Sequence, residues 1–124
     1  MTDIFNDQHG FMVAAGQFES LNKSDLVELY IDLIYEESAE FSNCDQDLEA
    51  IKEACDILVV TSGFLIALLG LDNAKKAWEL VHASNMAKTQ GAIEKREDGK
   101  VLKSPEWKKE IKSKLMDDLN TLLI

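Results

Sequence analysis

Proline, cysteine and histidine are nearly absent from this chain: one, two and two in 124 residues. With Pro105 the sole proline and little alternation of β-branched residues, long helices meet few breaks, and the reading is all-α. Cys44 and Cys55 form neither a CxxC pair nor a disulfide framework, so structural zinc and a disulfide-stapled fold are set aside and both are expected as reduced thiols. Basic residues are scarce too: 13 lysines and arginines face 23 acids, a net charge of −10. That balance speaks against a nucleic-acid backbone or an anionic membrane as partner. It suits a site that collects cations.

Long hydrophobic runs are also missing. The longest, "ILVVTSGFLIALLG" at 57–70, falls short of the roughly 20 residues that cross a bilayer. It reads as a helix buried in the protein. The opening "MTDIFNDQHG" carries no basic segment followed by an apolar one, so no secretory signal is visible and a cytoplasmic location is expected.

What is present is a globular composition, 46% hydrophobic and 29% charged. One domain over 1–124 is expected, a bundle of about five helices whose core is completed by oligomerisation. A first helix is read at 2–18, with Ile4, Phe5, Phe11 and Phe18 facing the core. Ser24 is taken as N-cap of a second at about 25–42, with Leu26, Leu29, Tyr30, Leu33 and Ile34 as its apolar stripe. Asp45 or Asp47 would cap a third at about 47–70, which Gly70 stops. A fourth, at about 73–88, presents Ala74, Trp78, Val81 and Asn85 on one face. Residues 89–103 form a loop with a tight turn at Asp98-Gly99. Ser104 and Pro105 then start a last helix whose stripe runs through Trp107, Ile111, Leu115, Leu119 and Leu122.

The second helix contains an anomaly. In "LVELYIDLIYEESAEF", Glu37 and Glu40 occupy positions where the apolar stripe should continue, three apart and so on one face. On the third helix "EACD" repeats that spacing with Glu53 and Asp56. Asp56 begins a line through Val60, Gly63 and Ala67, at the edge of buried structure. An antiparallel turn between the helices would bring both pairs level. Crowded, partly desolvated carboxylates repel unless a cation neutralises them. Oxygen ligands without paired histidine or cysteine suit Mg²⁺, or Mn²⁺, rather than zinc. A solvated acidic face is the plain alternative. A di-iron site is less favoured: Glu79 and His82 make one ExxH pair, but His9 has Asn6 where the second would need an acid.

"EESAE" followed by "EACD" resembles the ExxE…ExxD signature of the all-α nucleoside triphosphate pyrophosphohydrolases, the MazG-like and phosphoribosyl-ATP pyrophosphohydrolase-like group. "VHASNMAK" is similar to that family's Asn-Met-x-Lys segment, "KREDGKVLKSPEW" to its phosphate-side loop, and "FNDQHGFMVAAGQ" to an opening helix of its phosphoribosyl-ATP-like branch. The resemblance implies a Mg²⁺-dependent enzyme that cleaves the α–β phosphoanhydride of a nucleotide, giving a monophosphate and pyrophosphate. It assigns Glu37, Glu40, Glu53 and Asp56 as catalytic metal ligands, with Glu36 a neighbour able to replace Glu37. Asn85, Lys88, Lys100 and Lys103 are the implied substrate contacts: an amide for base or sugar, ammonium groups for phosphates. The residues themselves leave Lys88 as a helix-end charge and the loop lysines as a solvated surface. With no serine, cysteine or histidine set beside a base, direct attack by water is preferred to a covalent intermediate. The rival reading is a non-catalytic acidic helical adaptor. Because the run at 57–70 is apolar all round, a homodimer or homotetramer is expected, with the third helix near the interface.

Overall fold

The computed structural model describes residues 2–89, 94–102 and 110–123. Among the described residues six α-helices follow one another: α1 (Ile4–Ala14), α2 (Gln17–Ser20), α3 (Lys23–Asn43), α4 (Asp47–Leu69), α5 (Leu71–Ala87) and α6 (Lys112–Asn120). Among the described residues the only β pairing is a single antiparallel bridge, Lys95 to Val101. The chain is all-α. No single helix among those residues is long and apolar enough to cross a membrane. The chain divides into two compact units, Met1–Ala74 and Lys75–Ile124.

The first unit is built on α3 and α4, with α1 packed against α4 and α2 against α1 and α3. The helix starts differ from the sequence reading. Asn22, not Ser24, caps α3: its side-chain oxygen accepts from Asp25 N at 2.8 Å. Asparagine and serine cap about equally well, and here Ser24 lies inside the first turn. At the start of α4 the capping position falls to Gln46, which makes no side-chain cap bond, and Asp47 is the first helical residue. An acid there still favours the positive end of the helix dipole. Gly70 closes α4 with φ 83°, as expected.

The first helix breaks where none was foreseen. Gly16 adopts φ 71°, a left-handed conformation that glycine enters without steric cost, and the chain restarts as α2. Before the break, α1 buries Phe5, Gln8 and Met12, one face at i, i+3 and i+7. Ile4, Phe11 and Phe18 are exposed, correcting three of the four expected core contacts. Gln8 is a polar residue in a core position, and it has partners. Its Nε2 donates to Tyr30 Oη at 2.9 Å, and that hydroxyl donates to Gln17 Oε1 at 2.8 Å. Phe5, Met12, Leu26, Tyr30, Val60, Ile66, Ala67 and Ala74 form the core, with Leu29, Leu33 and Ile34 half-buried against it.

One contact fixes how α3 lies on α4. A Cβ added to Gly63 would stand 2.1 Å from Tyr30 Cε1, so the ring lies flush on the bare backbone of α4. Two helical turns on from Tyr30 is Glu37, and two turns back from Gly63 is Asp56. In an antiparallel pair this register sets Glu37 against Asp56, and Glu40 against Glu53 one turn beyond.

The second unit continues α5, then a tight turn, then α6 and a 3-10 turn at Thr121–Leu123. The turn falls at Asp98-Gly99 as expected, with Gly99 at φ 92°. On α5 the anticipated face is buried only at Ala74: Trp78 is 58% exposed, Val81 and Asn85 are exposed, and the other buried positions are Ala77 and Ser84. Trp78 lies against His82 instead, centroids 6.1 Å apart and rings near parallel. Ile111, Leu115, Leu119 and Leu122 are half-buried. The expected helix start at Ser104 and Pro105, and Trp107, lie outside the described residues.

Candidate metal centre

The Tyr30–Gly63 register does to the acids what the spacing suggested. Glu37, Glu40, Glu53 and Asp56 each present one carboxylate oxygen, and these four oxygens lie within 4.8 Å of one another. Glu40 is exposed and the other three are half-buried, while Glu36 is exposed and stands outside the group. Both cysteines are free thiols and neither belongs to this group, Cys44 half-buried and Cys55 exposed.

Such crowding has an electrostatic signature. Burial pushes the Glu37 carboxyl up to about 6 from its ordinary 4.5, helped by a hydrogen bond with Glu40 and by the charges of Glu40, Asp56 and Glu53. Between pH 4.5 and about 6, Glu37 therefore keeps a proton that an isolated glutamate would have lost.

Two oxygens remain unsatisfied. Among the described residues, the buried side-chain polar atoms without a hydrogen-bond partner are Glu37 Oε2 and Glu53 Oε2. An unpaired buried polar atom costs on the order of 1–3 kcal/mol, and more when charged. Both belong to the same cluster. A divalent ion would answer them, and the donor set is all oxygen, the preference of a hard cation. Opposite ligands on Mg²⁺, each about 2.1 Å from the ion, stand about 4.2 Å apart, so this constellation closes on such an ion with small side-chain movements. The residues fit Mg²⁺ or Mn²⁺.

One participant was missed in the sequence. Lys52 Nζ stands 2.7 Å from Asp56 Oδ2 and 3.6 Å from Glu53 Oε1. Its hydrogen bond to Asp56 and the nearby negative charges raise its pKa, keeping it protonated. The i, i+4 spacing of Lys52 and Asp56 was the signal that could have found it.

The other expected site residues lie in the second unit. Lys88 Nζ donates to Asn85 Oδ1 at 2.9 Å, so these two share a face of the C-terminal end of α5 and its exit. Lys100 is exposed in the turn that follows. Arg96, in the same loop as Lys100, is taken up by Asp98: its Nε donates to Asp98 Oδ1 at 2.9 Å. Its charge serves the turn. Lys103 lies outside the described residues.

No family model, characterised protein sequence or solved structure matches this chain. The carboxylate centre and the motif likeness described above are what point to a function.

Proposed function

We propose that this chain is a cytoplasmic nucleotide pyrophosphohydrolase that uses Mg²⁺, or Mn²⁺, to cleave the α–β phosphoanhydride of a nucleotide into monophosphate and pyrophosphate. The observation that carries the reading is the convergence of Glu37, Glu40, Glu53 and Asp56 around two buried oxygens with no partner. A solvated acidic face has no need to bury unpaired carboxylate oxygens. The ordered likeness of four segments to the all-α pyrophosphohydrolases gives the same centre a reaction.

The division of labour follows from position. A divalent ion held by the four acids would polarise phosphoryl oxygens and lower the pKa of a bound water. Glu53 and Asp56 supply fixed negative charge from α4. Glu37, whose carboxyl is raised to about 6, is ionised at pH 7 and basic enough to take the proton of an attacking water. The centre contains only carboxylates, which favours water as the nucleophile over a side chain. Asn85, Lys88, Lys100 and Lys103 are the proposed nucleotide contacts, an amide for base or sugar and ammonium groups for phosphate oxygens.

Self-association belongs to the same reading. Leu48 is 80% exposed and Leu58 58%, with Ile51 exposed between them on α4. These positions, with Cys55, repeat at spacings of three and four, the pattern of a helix seam that packs against another helix. We assign this face of α4 to a homodimer or homotetramer contact. It also favours the second reading, an acidic helical adaptor without catalysis. A panel of nucleoside triphosphates assayed for pyrophosphate release with Mg²⁺ decides between them. Metal-dependent release from one nucleotide, lost in Glu53→Gln, supports the enzyme, and no release from any nucleotide supports the adaptor.

A further inference from the structure

The acidic centre carries its own cation. One ammonium, that of Lys52, touches two of the four acids at once, Asp56 and Glu53. Three features mark it as a replaceable occupant rather than a fixed strut. The Lys52 side chain is 68% exposed where that of Glu53 is 13%, so the lysine reaches in from solvent toward a carboxylate set deeper. Lysine precedes aspartate in this i, i+4 pair, the less favourable order along a helix. A solvent-exposed pair that must hold a long side chain in one conformation is also weak.

The ammonium is moreover an incomplete answer to the cluster. It approaches Glu53 through Oε1, while Glu53 Oε2 and Glu37 Oε2 stay buried without partners. A divalent ion among the four oxygens would satisfy what the lysine does not reach. It would also meet the lysine as a like charge at two shared ligands.

Resting on the metal reading above, we propose that Lys52 is a resident counter-ion that competes with the divalent cation for Asp56 and Glu53, so that loading the site exchanges ammonium for metal. The exchange has a definite sign. Removing the lysine's charge removes both an occupant and a repulsion, so Lys52→Gln binds Mg²⁺ about two- to fivefold more tightly than the wild type. Without metal the same variant leaves the four acids uncompensated and melts below the wild type. Lys52→Arg keeps the charge and keeps the wild-type affinity. A lysine with only a helix-surface role would leave the affinity unchanged and shift the apo and loaded melting points together.

The test is calorimetric titration of Mg²⁺, with Mn²⁺ as second probe, into wild type, Lys52→Gln and Lys52→Arg, with melting of each protein in its apo and saturated forms. The expected result is tighter binding in the glutamine variant alone, with a larger metal-induced rise in melting temperature. An affinity in Lys52→Gln equal to or weaker than the wild type's overturns the exchange while leaving the metal reading in place. Wild-type protein that takes up neither ion overturns the metal reading, and the exchange falls with it.

Discussion

Replacing Glu37 with glutamine removes a charge that the fold holds at a cost. In the apo protein burial, then the hydrogen bond and charge of Glu40, then Asp56 and Glu53, raise this carboxyl from 4.5 to about 6. A gap of about 1.5 converts, at about 1.4 kcal/mol per pH unit, to a ceiling of about 2 kcal/mol. Glu37 is only half-buried, and screening by water brings the expected effect to about 1 kcal/mol. The folded state binds this proton more tightly than the unfolded chain does. The stability it contributes is full below pH 4.5, declines through the interval up to about 6 and is lost above it. At pH 7, then, ionised Glu37 carries a penalty that glutamine does not. Glu37→Gln in a divalent chelator should melt about 4 °C above the wild type at pH 7, and the gap should close by pH 4.5. Circular dichroism melts at several pH values measure this. In saturating Mg²⁺ the order should reverse, because the wild type gains a ligand and the variant has lost a donor. An apo variant that melts below the wild type at pH 7, or a gap that widens as pH falls, would refute the crowding argument.

Other outcomes follow from the same geometry. Gly63→Ala forces a methyl into the Tyr30 ring and should cost about 1–3 kcal/mol, because a packed core resists added volume; it should also blunt the Mg²⁺-induced melting shift by disturbing the register of the acids. Tyr30→Phe strips the buried Gln8 amide of its partner and should cost about 1–3 kcal/mol with the metal response intact. Hydrolysis products resolved by chromatography should be monophosphate and pyrophosphate; diphosphate with orthophosphate would contradict cleavage between the α and β phosphates. Sedimentation should show a dimer or tetramer at micromolar concentration, shifted toward monomer in Leu58→Glu, and a monomeric wild type would remove the α4 face from the account.

The helices α3 and α4 were legible because their apolar residues keep one period over many turns, and Glu37, Glu40, Glu53 and Asp56 were legible because they interrupt that period in phase. The first helix was not. Its apolar residues surround it, from Ile4 and Phe5 to Phe11, Met12 and Val13, so period alone selects no face. The true buried face runs through Gln8, whose polarity hides it until the Tyr30 hydroxyl is seen to satisfy the amide. The break at Gly16 was hidden because a glycine within an apolar stretch is compatible with helix or turn. On α5, helical spacing puts Trp78 on one face with buried Ala74, but its ring stacks on His82 at the surface. Lys52 went unread for a different reason. Its charge is opposite to that of the acids beside it, and only the i, i+4 spacing to Asp56 marks it in the sequence.

The central claim is that the four acids form a seat for one hard divalent cation, and Mn²⁺ binding tests it most directly. Electron paramagnetic resonance of Mn²⁺ titrated with the protein counts bound ions without requiring the nucleotide to be known. The account predicts saturable uptake by the wild type, displacement by excess Mg²⁺, and loss of that uptake in Glu53→Gln, whose buried oxygen has no other partner. Uptake that is absent in the wild type, or that persists undiminished in Glu53→Gln, would contradict it.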